Sequence, residues 1–280
     1  MPTLPFVSTA WLAEHIDDPD IRVVEIGSSD DRNVYHAGHL PGAIWLFWKA
    51  ACWHETDRQF VTPEAMAALF GGLGIGPDTT LVLYGDPIQY GSYAYWSFTM
   101  AGHRHLRLLD GGRKKWAAEG RALSQDVPEY AAVAYPTPLG DQSMRVGRRD
   151  VLDHLGQPNR LLLDLRSAEE YCGERVIAYS AAFDHGAERA GHIPGARHLY
   201  FRELLNDDDT IKSPEEIKVR FKRAGIDPES HDEVVCYCRL SHRATMGWLA
   251  VSQLLGHPNV KIYDGSWTEW GSIVGYPVET

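Results

Sequence analysis

The sequence predicts an α/β fold built twice, with parallel strands alternating with helices. Two observations carry this. Short β-branched apolar runs alternate with helix-length segments, the grammar of a parallel sheet covered by helices on both faces. The grammar also repeats. Tyr35-His36-Ala37-Gly38-His39-Leu40-Pro41-Gly42-Ala43 returns, 153 positions on, as Glu188-Arg189-Ala190-Gly191-His192-Ile193-Pro194-Gly195-Ala196. Residues 81–85 (LVLYG) match 234–238 (VVCYC) at the same offset. Gly102-His103 matches Gly256-His257, and Asp110-Gly111 with Trp116 matches Asp264-Gly265 with Trp270, now at offset 154. Ordered matches at a nearly constant offset mark a tandem duplication of a unit of ordinary domain size.

Each unit opens with a helix: Ser8 caps 9–16, and 147–155 takes that part in the second half. Strands follow at 22–26 and 160–165. The Gly-His-x-Pro-Gly-Ala turn leads into short strands at 43–46 and 196–199. Next come helices at 63–69 and 214–224, the latter capped by Ser213. The central strand, a loop and a helix follow; in the second unit that helix spans 244–255 and ends at Gly256 and Pro258. Strands at 107–109 and 260–263 precede closing Trp-bearing helices. The expected domains are 1–123, a proline-bearing linker over 124–143, and 144–280. Residues 172–188 are an insertion without a counterpart in the first half, read as a surface loop or an active-site flank.

Composition narrows the partners. The net charge is −11, which leaves no broad basic surface for nucleic acid. No apolar run approaches the ~20 residues of a membrane helix, and the first residues lack the basic and apolar parts of a secretory signal. Four cysteines, at 52, 172, 236 and 238, are too few and scattered for a disulfide scaffold. Cys236-Tyr237-Cys238 is not the CxxC of a zinc or redox pair. A cytoplasmic setting is expected, with no metal and no organic cofactor.

Chemistry concentrates in Cys238-Arg239-Leu240-Ser241-His242-Arg243. Cys238 lies at the carboxyl end of a strand, where sites of open α/β sheets form, and at the mouth of a helix. The helix dipole, the unpaired backbone N–H groups and two arginines all favour thiolate. Cys238 is the candidate nucleophile; Cys236, inside the strand, fits a structural role. The first half carries Gly85-Asp86-Pro87 instead, so it keeps the fold without a nucleophile. The aromatics Tyr90, Tyr93, Tyr95 and Trp96 that follow are expected in its core. A thiolate among arginines suits an anionic substrate. The loop is C-x4-R, one residue short of the C-x5-R ring of Cys-dependent phosphatases, and it holds no carboxyl general acid. Sulfane-sulfur transfer is favoured over phosphatase or arsenate-reductase chemistry.

With the Gly-His-Ile-Pro-Gly-Ala turn at 191–196, the loop 238–243 followed by Ala244-Thr245, and the ending 263–271 (YDGSWTEWG), nearly the whole chain resembles a tandem-domain rhodanese, a thiosulfate or 3-mercaptopyruvate sulfurtransferase. The resemblance implies two tandem rhodanese-like domains, each a parallel five-stranded sheet flanked by helices, the first inactive and the second catalytic. It implies a Cys238 persulfide, with Arg239, Leu240, Ser241, His242 and Arg243 shaping the substrate site. Thiosulfate is the expected donor and cyanide or a thiol the acceptor, with a protein acceptor a further possibility. A mercaptopyruvate sulfurtransferase and a non-catalytic sulfur carrier are the alternatives. Leu240 departs from the serine of mercaptopyruvate-type loops and from the lysine of many thiosulfate-type loops. Glu170 stands where many tandem members have a substrate-contacting arginine, a role Arg243 could take over. Arg166 is expected to pair with Glu169 or Glu170. His242 is read as a positioning group for substrate or thiolate, or as a solvent-facing residue. His39 and His192 are expected to be structural.

Overall fold

A computed structural model describes residues 5–176 and 187–280. The chain divides into two compact units. The first runs to Gln142 and includes Asp207–Ile211; the second comprises Ser143–Asn206 and Lys212–Thr280.

The first unit is built from β1 (Phe6–Val7), α1 (Thr9–His15), β2 (Ile21–Gly27), α2 (Asn33–Ala37), β3 (Ile44–Phe47), α3 (Trp48–Cys52), α4 (Pro63–Gly72), β4 (Thr80–Asp86), α5 (Gln89–Ala101), β5 (Leu106–Leu109) and α6 (Gly112–Ala118). All its strand pairs are parallel, in the order β1-β5-β4-β2-β3. The second unit has β6 (Arg145–Val146), α7 (Arg148–Asp153), β7 (Arg160–Asp164), α8 (Ala168–Tyr171), β8 (Arg197–His198), α9 (Pro214–Arg223), β9 (Glu233–Tyr237), α10 (His242–Trp248), β10 (Val260–Tyr263) and α11 (Ser266–Trp270). Its order, β6-β10-β9-β7-β8, repeats the first. The predicted duplication and the two parallel five-stranded sheets are both present.

Local sequence explains the element ends. The Ser8 hydroxyl accepts from the Trp11 amide, and Ser213 forms a reciprocal capping box with Glu216 ahead of Pro214. Along β4 and β9 side chains alternate between faces. Val82 and Tyr84 pack with Leu12 of α1 and Trp116 of α6, and Val235 and Tyr237 pack with Val151 of α7 and Trp267 of α11. Tyr93 and Trp96 are fully buried, as expected, whereas Tyr90 and Tyr95 are half-buried.

The two turns use the same chemistry. His39 stacks on Tyr35 and His192 on Tyr171, each with ring centroids 3.8 Å apart. Tyr35 and Tyr171 each donate a 2.7 Å hydrogen bond to the carbonyl of the turn's alanine, Ala43 or Ala196. The Tyr84 hydroxyl accepts from the Leu40 amide, and the Tyr237 hydroxyl accepts from the Ile193 amide. Both copies also pair, backbone to backbone, with an incoming segment: His39 with Ser124 and His192 with Glu279.

The segment predicted as a linker is extended but closely attached. It docks along the first unit through Val133 N–H to the Gly71 carbonyl, Asp141 N–H to the Met100 carbonyl, and the Tyr130 hydroxyl to the Gly42 carbonyl. Tyr135 also meets His103 at 2.7 Å.

The helix expected over 244–255 starts earlier and changes pitch. It begins at His242, and Leu249–Leu254 forms a π-helical turn. The His257 amide bonds back six residues to the Val251 carbonyl, where the equivalent His103 amide bonds back five to Phe98. That extra residue accounts for the step in repeat offset from 153 to 154. A π turn absorbs one residue without moving either end of the helix.

Candidate functional site

β9 lies at the centre of its sheet, between β7 and β10. Its carboxyl end delivers Cys238, which is 1% exposed. The following residues are held by the turn after β10. The Cys238 amide donates to Ser266 Oγ at 3.3 Å, the Trp267 amide to the Cys238 carbonyl at 3.0 Å, and the Thr268 amide to the Arg239 carbonyl at 3.1 Å. Ser241 has φ of 64°, the left-handed conformation that closes the loop. Its hydroxyl donates to Asp264 Oδ1 at 2.7 Å, and Arg145 lies 3.6 Å from the other Asp264 oxygen. The first bond of α10 runs from the Thr245 amide to the Ser241 carbonyl. Amides in the turn before it lack intrahelical acceptors by geometry, and the helix start carries partial positive charge.

The loop side chains divide by burial. Ser241 and His242 are buried, while Arg239, Leu240 and Arg243 are half-buried. His242 is therefore not solvent-facing. Ser241, expected among the substrate-binding groups, spends its hydroxyl on Asp264.

Arg243 and Glu170 form the site's dominant ion pair. Arg243 donates to Oε2 and Oε1 of Glu170 at 2.7 and 2.9 Å. Glu170 is fully buried and also accepts from the Ser167 amide at 3.1 Å, in a capping box that starts α8. Burial alone would push its carboxyl up. The hydrogen bonds and charge of Arg243, the Ser167 amide and the charge of Arg166 outweigh that and hold it down at about 2. Burial pulls Arg243 down, but its bond to Glu170 and the negative charge of Cys238 leave it raised.

Arg166 is fully buried, and its ion-pair partner is Asp164 rather than the expected Glu169 or Glu170. It grips Asp164 through Nε and Nη2, donates to the Gly191 carbonyl at 2.7 Å, and lies 4.6 Å over the Trp267 ring. Glu169 pairs instead with Arg175 at 3.0 Å. The pairings follow geometry: Asp164 ends β7 and Arg166 follows two residues on, both side chains fully buried, while Glu170 sits at the third position of α8 and meets Arg243 of α10. Sequence spacing alone did not separate these three carboxylates.

Cys236 is fully buried in β9, and burial pushes its thiol up. Cys172 is exposed. Residues 177–186, the middle of the predicted insertion, lie outside the described residues. Among the described residues, no group of three His, Cys, Asp or Glu is placed to hold a metal ion. No helix among them is long and apolar enough to cross a membrane. In the first unit, Asp86 at the position of Arg239 is engaged by Arg113, which also donates to the Gly38 carbonyl at 3.0 Å.

Residues 8–119 and 148–273 each match the Rhodanese-like domain family. The chain belongs to that family. This tandem rhodanese-like protein is 42% identical to the sulfur carrier protein TtuD of Thermus thermophilus, over 97% of this chain and 95% of that one. It is 41% identical to a "Putative thiosulfate sulfurtransferase" of Saccharopolyspora erythraea, over 98% and 95%. Among solved structures, a cysteine-persulfide form of EanB with ergothioneine superposes with a TM-score of 0.84 at 25% identity, over 99% of this chain and 70% of that one. YnjE superposes with a TM-score of 0.83 at 25% identity, over 99% and 68%.

Proposed function

We propose that this rhodanese-like protein is a sulfurtransferase that moves sulfane sulfur from thiosulfate to a thiophilic acceptor through a persulfide on Cys238. The observation that carries this is the placement of Cys238 at the end of the central strand of the second sheet, before a helix start, with Arg239 on its loop and Arg243 in the first turn of α10, and with the first unit lacking it.

The Cys238 thiolate attacks the outer sulfur of thiosulfate. A new S–S bond forms, the sulfur–sulfur bond of the donor breaks, and sulfite leaves with the electron pair. Cyanide or a thiolate then attacks the terminal sulfur of the persulfide, giving thiocyanate or a new persulfide and returning the Cys238 thiolate. Loop amides stabilise the anionic sulfur in both states. Arg239 supplies positive charge for the donor's oxygens.

The engagement of Arg243 by Glu170 argues against phosphate-ester or arsenate chemistry, which needs that guanidinium fork on the tetrahedral anion. Leu240 offers no hydroxyl, and that of Ser241 is held by Asp264, which argues against the mercaptopyruvate reaction. A second reading has support from the relative named a sulfur carrier: the persulfide is handed to a protein acceptor.

Incubation with thiosulfate, followed by intact-mass analysis and a cyanide assay, tests the proposal. One added sulfur atom on Cys238 and thiocyanate formation are expected. Absence of both overturns it. Persulfide formation with slow turnover on cyanide and small thiols favours the carrier reading.

A further inference from the structure

We infer that Glu170 is a positioning residue for the cysteine loop: by gripping both arms of Arg243 it fixes that guanidinium as a stationary charge and withholds it from the substrate. The inference rests on Cys238 being the reacting group.

Three observations support it. The contact is bidentate, at 2.7 and 2.9 Å, with a carboxylate that is 0% exposed. Glu170 is itself anchored, since the capping box with Ser167 ties it to the start of α8. The fork–fork geometry therefore joins two secondary elements rather than two mobile side chains. Third, the duplication supplies an internal control. α5 and α10 start at Gln89 and His242, 153 positions apart, so Tyr90 stands where Arg243 does. Tyr35 and Tyr171 make the same stack and the same bond to the turn, so Val34 stands where Glu170 does. The inactive unit keeps the structural tyrosines and histidines and has neither member of the ion pair. The pair accompanies the cysteine rather than the fold.

Charged and titratable groups near the pair include Arg166 and Asp164 after and at the end of β7, Cys238, Arg239 and His242 of the loop, and Glu169 with Arg175 beside Ser167. Arg166 is committed to Asp164. Arg243 is the cation that Glu170 holds directly, through two hydrogen bonds. With Glu170 ionised the field of Arg243 is partly offset; a neutral residue there would leave the full guanidinium charge acting on the loop, and an attacking thiolate is a weaker nucleophile the more it is stabilised.

The test is the pH dependence of Cys238 alkylation by iodoacetamide, a neutral reagent whose reaction does not require sulfur transfer. Glu170→Gln is expected to lower the midpoint by about one pH unit, and Glu170→Asp, which keeps the charge, to leave it near wild type. In the thiosulfate assay Glu170→Gln is expected to lower both KM and kcat, as a released guanidinium binds the donor and a weaker nucleophile reacts. An unchanged midpoint in folded Glu170→Gln overturns the inference. If that variant does not fold, the neutral pair Glu170→Gln/Arg243→Gln decides: a raised midpoint supports the inference and an unchanged one overturns it. Wild-type protein that alkylates normally but forms no persulfide refutes the proposed function while leaving the midpoint comparison intact.

Discussion

The hydroxyl of Ser241 donates a 2.7 Å hydrogen bond to Oδ1 of Asp264 and so clamps the cysteine loop to the turn after the neighbouring strand. Both groups are buried, and Asp264 has Arg145 on its other oxygen. Removing one partner leaves a buried charged acceptor short of a donor. Ser241→Ala is expected to cost about 2 kcal/mol of stability and to lower kcat for thiosulfate, because the loop amides lose their register. Thermal unfolding and steady-state kinetics measure the two effects separately.

The two cysteines of β9 and its loop should respond oppositely. Cys238→Ser is expected to abolish persulfide formation and thiocyanate production. Cys236→Ser removes a buried thiol from the strand and costs stability, but persulfide formation on Cys238 should continue. Intact-mass analysis after thiosulfate treatment reads both.

Acid should unfold the second unit through Glu170. Its carboxyl is held at about 2 in the fold against an ordinary 4.5. A depressed acid contributes stability that is fully present above 4.5 and is lost as pH falls toward 2. The contribution is about 3 kcal/mol. Urea titrations of wild type and Glu170→Gln at several pH values should show a steep loss across that window in wild type and a shallower one in the variant.

The first unit should weaken at milder acidity. His103 is buried, with one ring nitrogen 2.7 Å from the Tyr135 hydroxyl and the other 3.0 Å from the Thr79 carbonyl. Burial, opposed by its backbone hydrogen bonds, lowers its pKa to about 4 from 6.5. A histidine kept neutral in the fold contributes stability that is present above 6.5 and lost as pH falls toward 4. Protection factors of α5 and residues 124–141, taken against intrinsic exchange rates at each pH, should fall between pH 6.5 and 4 before those of β9 do.

The turn histidines provide a matched pair of tests. His39→Ala and His192→Ala each remove a stacked ring and a hydrogen bond to a tyrosine carbonyl, at 2.8 and 2.9 Å. Each is expected to cost about 2 kcal/mol. Similar losses in chemical denaturation of the two variants would mark the motif as a structural lock; a loss confined to His192→Ala would overturn that view.

The alternating apolar runs, the helix caps at Ser8 and Ser213, and the repeated Gly-His turn made the fold legible before any coordinates. Those features act locally, within a few residues. The placement of Cys238 between strand and helix was legible for the same reason: strand, loop and helix are contiguous. What could not be read was which distant groups meet. Glu170 and Arg243 are 73 positions apart, and Ser241 and Asp264 are 23 apart; only the parallel sheet brings them together. Arg166 was placed with the wrong carboxylate because residues 164, 169 and 170 are all within sequence reach of it. The matched Asp-Gly at 110 and 264 was the available signal for the loop clamp.

The π turn at Leu249–Leu254 has a consequence for how the two copies have drifted apart. One unit gained or lost a residue inside the helix behind its loop. The change was absorbed one turn away, leaving the loop length and the following strand register intact. Six positions still separate Tyr84 from Tyr90 and Tyr237 from Arg243. The helix body thus behaves as an expansion joint: insertions and deletions are tolerated there, whereas a single residue added between 238 and 243 would reach the cysteine directly.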